Sequence, residues 1–402
     1  MAARVSISQL EASVHESSPL EEIQDEHNNA PISPPDGGYG WVCVLAQFLI
    51  NGFTWGVVAS YSVYLTHYLS HDLFPEARPI DYAFIGGFNF AFALLVPPLA
   101  TLLARWYSVR TPMALGVILL TVGFISASFA TKVWHLYLSQ GLCVGAGVGF
   151  IYIPSTSIIP QWFPKKRSLA NGICASGSGI GALIISFATQ GLLGAVGLAW
   201  ALRITAVGVF VINLTATFLI RSRDKDIKPT PILFNFDLLG LYQVKLLIGW
   251  SVVLMFGYIA LMFSLSDYAL AIGRSHQDSA TVVALLNLGA AIGRPFLGYL
   301  SDRYGRLEVA GISTFSCGTL AIVPLAADIV GLKELPSFLN IVWLSVVLPS
   351  AFGEAIVLVL RRQDFGARSY VYPQIMTGVS YVVASMLLFE LWRSQRGMRE
   401  SA

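Results

Sequence analysis

Eleven stretches of the chain, at 41–68, 82–104, 112–130, 135–160, 168–193, 198–220, 243–272, 280–300, 308–330, 337–360 and 370–392, are apolar over about 20 residues each, the length a helix needs to cross a bilayer. In lipid every backbone N–H and C=O must be bonded within the protein, so such runs fold as helices. The expected class is an all-α polytopic membrane protein of eleven spans. Composition agrees. Only 12% of the 402 residues are charged and 55% are hydrophobic, where a soluble domain carries roughly 25% charged residues. The 12% aromatic content excludes a disordered chain. Beyond a polar head, the length has room for twelve spans of ~20 residues with short loops.

The net charge of +2 hides a division. Residues 1–40 hold seven acids against Arg4 and form a disordered acidic tail, expected to be cytoplasmic. Lys and Arg collect on the cytoplasmic side of membrane proteins. Here they fall in the even-numbered loops: Arg105 and Arg110; Lys165, Lys166 and Arg167; Arg221, Arg223, Lys225 and Lys228; Arg303 and Arg306. The domains read as a six-helix bundle at 41–220, a cytoplasmic linker at 221–242, a second bundle at 243–392 and a basic tail at 393–402. Eleven crossings would leave Arg393, Arg396 and Arg399 outside, against the charge rule. The second bundle therefore reads as one helix short, and the stretch from Gly318 to Asp328, interrupted by Pro324, is where the discrepancy lies.

Several chemistries are excluded. The four cysteines sit in apolar runs with no metal-type spacing. No cofactor, metal or nucleic acid is expected. Gly145-Ala-Gly147-Val-Gly149 and Gly177-Ser178-Gly179-Ile-Gly181 lie inside apolar runs, where small residues pack helices rather than cradle phosphate. No paired acids or activated nucleophile mark an enzyme.

Two motifs are specific. Gly298-Tyr-Leu-Ser-Asp302-Arg303-Tyr-Gly305-Arg306 follows the eighth span, and it resembles the cytoplasmic loop signature of the major facilitator superfamily. That resemblance implies two pseudo-repeated helical bundles and a gating role for Gly298, Asp302, Arg303, Gly305 and Arg306. The first-half counterpart, from Ala100 to Arg110, keeps only the arginines. Asp36-Gly37-Gly38-Tyr39-Gly40-Trp41 opens the first span, where Asp36 is expected to cap the helix. Together with the run from Trp162 through Lys165, Lys166 and Arg167, it resembles the paired signatures of the monocarboxylate-porter branch, nearest its fungal members.

Polar groups inside spans need a partner or a function. Arg294, before Pro295, is expected to face a central cavity and meet the substrate's anionic group, as the resemblance implies. Gln47, Asn51, Asn89 and Asn287 are candidates to complete the cavity, and Asp267 to carry a proton. Animal relatives place an acid and a lysine where this chain has Ala290 and Ala59, which favours a larger, less polar anion. The resulting expectation is a monomeric secondary transporter, proton-linked, in the plasma membrane and surrounded by lipid, leaning to efflux of a small organic anion or secondary metabolite. The alternatives are a monocarboxylate or vitamin uptake carrier and a non-transporting sensor or degenerate carrier.

Overall fold

The computed structural model describes residues 35–401 apart from 72, 231, 316–321 and 362–368, so the acidic tail up to residue 34 lies outside it. All the secondary-structure elements among the described residues are helices. The first span is broken into α1 (Gly40–Phe53), α2 (Trp55–Ala59) and α3 (Tyr61–Ser70). At the breaks, the Thr54 and Ser60 hydroxyls donate to Ile50 O at 2.6 Å and Val57 O at 2.7 Å, a back-bonding that bends helices. The second span is α4 (Pro79–Leu95) and α5 (Pro97–Trp106), divided where Pro97 and Pro98 remove backbone donors. The third is α6 (Arg110–Ala127). In the fourth, α7 (Val133–Leu136) passes through a π-helical stretch, Tyr137–Cys143, into α8 (Val144–Thr156) and α9 (Ile159–Trp162).

Next, α10 (Arg167–Leu219) runs for 53 residues but is two crossings, because Gly197 turns the chain at φ 75°, a backbone angle that costs glycine little. Its two ends return to one face: Tyr39 Oη donates to Leu219 O at 2.9 Å, while Asp36 meets the backbone before α10. The linker holds α11 (Asp224–Ile227) and a 3-10 turn, Phe236–Gly240. Beyond it come α12 (Tyr242–Ala271), α13 (His276–Tyr304), α14 (Arg306–Phe315), α15 (Ile322–Ile329), α16 (Gly331–Ser345), α17 (Val347–Leu360) and α18 (Val371–Ser401). Buried apolar side chains form two clusters, one within 43–220 around Ile50, Met113 and Phe163, the other within 238–391 around Trp250, Phe338 and Leu388.

The ninth apolar segment departs from expectation. The described part of α14 is ten residues long, and residues 316–321, which include the start of the stretch from Gly318 to Asp328, lie outside the described residues. By Asp328, at the end of α15, the chain is back beside its starting point, where Arg306 pairs with the Asp328 carboxylate. Residues 306 and 328 thus lie on the same face. Among the described residues nine helices are long and apolar enough to cross, and one of these, Arg167–Leu219, crosses twice. Among the described residues ten crossings are counted, where the sequence reads eleven apolar segments. Trp392 Nε1 donates to Glu308 Oε1 at 3.0 Å, which brings the end of α18 to the face that carries Arg306. Parity is restored, and the C-terminal arginines join the other bases. Single cysteines placed by Lys225→Cys and Arg396→Cys should react with a membrane-impermeant maleimide from the same side of sealed vesicles. Labelling from opposite sides would remove the ten-span count.

Candidate functional site

The basic face is held shut by charges on short tethers. Gly305 takes φ 112° and ends α13, which leaves the Asp302 carboxylate at the start of α10. It accepts from Ser168 N at 3.0 Å and Leu169 N at 2.8 Å, so an acid satisfies two of the orphan donors of a helix N-terminus and meets its positive end. Arg306 donates to Pro164 O at 2.9 Å and contacts Asp302 and Asp328. Arg167, buried, donates to Asp328 at 2.7 Å. One carboxylate on α15 thus bridges an arginine of the first bundle and one of the second. Arg303 is exposed, over the Tyr304 ring, and takes no part in this lock.

Above the lock, α10 and α13 meet backbone to backbone. A methyl group on Gly298 would overlap Ser168 O, one on Gly172 would overlap Arg294 O, and one on Gly179 would overlap Asn287 O. Small residues allow this approach. The other motif forms a parallel tie. Asp36 does not cap the first helix; Lys165 N and Lys166 N each donate to its Oδ1 at 3.1 Å, and Asp36 N donates to Trp162 O at 3.0 Å. Its φ of 50° and that of 60° at Gly38 fold residues 36–39 into a turn against the loop before α10. Gly40 is needed because a side chain there would strike Trp162 and Phe163. Tyr39 stacks under the Arg221 guanidinium, and Trp41 meets Phe163 edge-on. The two family signatures are thus one contact.

Deeper in, Arg294 Nη1 donates to Ala175 O at 2.6 Å and to Ser178 Oγ, both on α10. No ion pair among the described residues gives it an acidic partner. Tyr152 on α8 lies within its electrostatic reach. Around Tyr152 gather Trp55 at 5.5 Å between centroids and Trp343 at 6.4 Å, while Phe90 flanks Trp55. These rings come from both bundles, and the Trp343 indole N–H is buried without an acceptor among the described residues. Sequence reasoning missed this group, since aromatics in an apolar run carry no periodic signal.

The amides are placed otherwise. Asn51 and Asn287 each donate to the carbonyl four residues earlier on their own helices. Asn89 donates to Gln140 O at 2.7 Å, and both residues line a cavity of about 30 Å³ inside the first bundle, walled by Tyr61, Tyr64 and Phe124. Gln47 is fully buried, with its Oε1 unpaired among the described residues. Asp267 lies on α12, and its side chain is outside the description, as is that of Glu354.

A multi-spanning helical protein whose two cores are locked across one face, with an arginine and a ring of aromatics between them, has the build of a membrane carrier. The profile of the Major Facilitator Superfamily matches residues 39–387. The "Probable transporter MCH2" of Saccharomyces cerevisiae is 32% identical, over 90% of this chain and 84% of its own. Human monocarboxylate transporter 12 is 29% identical, over 67% of this chain and 58% of its own. The E. coli fucose:proton symporter FucP shares the fold at 13% identity, with a TM-score of 0.62 over 88% of this chain and 98% of that one. The chain belongs to the Major Facilitator Superfamily, among transporters that include fungal members and the monocarboxylate transporters.

Removing one partner of the lock leaves buried donors unpaired, at about 1–3 kcal/mol, or ~5- to ~150-fold in the closed-to-open ratio. In Asp302→Ala, a thiol introduced by Ala291→Cys in the α10–α13 seam should be alkylated faster from the basic side by a factor in that range. An unchanged rate would show that Asp302 does not hold the seam.

Proposed function

We propose that the protein is a secondary active transporter for a small organic anion with a sizeable apolar body, working by alternating access between its two bundles. The observation that carries this is Arg294, a cation at the inter-bundle seam that donates, among the described residues, to a carbonyl and a hydroxyl. The Tyr152 and Trp343 rings meet across the two bundles, 6.4 Å between centroids. A partly buried cation inside a span without an acid is costly unless a ligand supplies the charge, and a guanidinium suits a carboxylate's two oxygens. The Trp343 N–H offers the anion a second donor. Ala59 and Ala290 leave the site uncharged elsewhere, which suits a larger and less polar acid. The human relative named a monocarboxylate transporter agrees with this class.

Transport is coupled to protons, for which Asp267 is the candidate carrier, and runs toward export. By the distribution of positive charge, the basic face, the N-terminal tail and both ends of the linker are cytoplasmic, and the membrane is the plasma membrane. Asn51 and Asn287 serve as helix-bonded polar groups, while Asn89, beside the small cavity, and Gln47 stay candidates to meet a ligand. The shared face of residues 306 and 328 favours one second reading, a carrier-derived sensor that binds the anion without moving it.

Flux of radiolabelled organic acids, from pyruvate to aromatic carboxylates, through proteoliposomes with and without a proton gradient decides between them. The carrier reading expects saturable, gradient-dependent flux. It also expects Arg294→Ala to lower flux by about 10-fold or more, as for a lost charged hydrogen bond of ~1.5–3 kcal/mol, with membrane insertion intact. Binding without flux for every acid would establish the sensor instead. Trp343→Phe should weaken apparent affinity by about fivefold, from ~1 kcal/mol for one neutral hydrogen bond. An unchanged affinity would remove Trp343 from the site.

A further inference from the structure

The loop after the second span has Ala104 where its second-half counterpart has Asp302. The seam between α5 and α16, which mirrors the one Asp302 closes, therefore has no carboxylate from that loop. Linker residues fill the gap. Along α16, Thr230 N donates to Lys333 O at 3.1 Å and its hydroxyl donates to Glu334 Oε1. Asn235 Nδ2 donates to Glu334 Oε2 at 3.1 Å, and Asn235 N to Ser337 Oγ at 3.0 Å. Asn340 Nδ2 donates to Leu233 O at 3.0 Å.

From the first bundle, Arg105 Nη2 donates to Ile232 O at 2.8 Å, and Ser337 Oγ of α16 donates to the same oxygen at 2.9 Å. One linker carbonyl thus receives a donor from each bundle. Beside it Thr101 Oγ1 donates to Asn340 Oδ1 at 3.0 Å, directly across the seam. Ser337 and Asn340 are buried to 0% and 1% exposure. Both would be left with unmet polar groups if the linker moved away in the closed state, and that is expensive.

We propose that linker residues 230 and 232–235 are a latch for the α5–α16 seam. The Ile232 carbonyl stands in for the acid that the first-half loop lacks, Arg105 is the positioning residue that holds it and Asn340 the one that holds the adjoining Leu233 carbonyl, and the segment withdraws each time the basic face opens. This rests on the alternating-access reading, but its test needs no substrate. The full chain, purified in detergent micelles, is followed by hydrogen–deuterium exchange with Arg105→Gln and Asn340→Ala, and with the milder Thr230→Val should Asn340→Ala fail to fold. A latch predicts faster exchange at 229–240 and, severalfold, at 167–175, in the α10–α13 seam that the linker does not touch, because both seams open together. Faster exchange confined to 229–240 and 331–340 would make the linker a local brace and overturn the proposal. No acceleration at 167–175 in any of the variants would do the same. Absence of transport by the unsubstituted chain, with the expected exchange pattern present, would instead count against the carrier reading alone.

Discussion

Carbonyl oxygens of Ser168, Arg294 and Asn287 each face a glycine on the opposite helix, and a single methyl group at any of the three would push α10 and α13 apart. Lipid offers no hydrophobic reward for joining two helices, so close packing and polar pins must do it. The glycines permit the approach. Asp302 and Asp328 then fix it at the basic end, one by capping α10, the other by holding Arg167 and Arg306 together. Packed interfaces of this kind are bistable rather than gradually deformable, which is what a two-state carrier requires.

Much of this was legible in the sequence. Apolar run length marked the crossing helices, since hydropathy reports solvent preference directly, and the spacing of Gly298, Asp302 and Arg306 marked the residues that meet the start of α10 and the loop before it. Direction of travel was not legible. Residues 308–330 are apolar enough to cross, and the Arg306–Asp328 pair shows that residues 306 and 328 share a face. Asp328 looked like an interruption in a span because its partners lie 22 and 161 residues away. Asp36 resembled a helix cap for the same reason: its acceptor role is to a loop some 130 residues on. Asn51 and Asn287 read as cavity groups because a sequence shows polarity but not the carbonyl four residues back to which each donates.

Leu307, Ala310, Val323 and Ala326 are buried in the second core, so the described ends of the segment 306–328 pack beside the lock. On α13, Leu285, Leu288 and Ile292 are exposed, side chains that lipid solvates as well as protein would.

Arg294 has a further consequence. Its guanidinium is spent, in the closed state, on Ala175 O and Ser178 Oγ across the seam. Any anion that takes the arginine competes with the protein's own cross-strut, so part of the ligand's affinity is converted into a bias toward separation of the bundles. A ligand moves an equilibrium only by its differential affinity for the two states, and here the difference is built into a single side chain that cannot serve both partners fully at once.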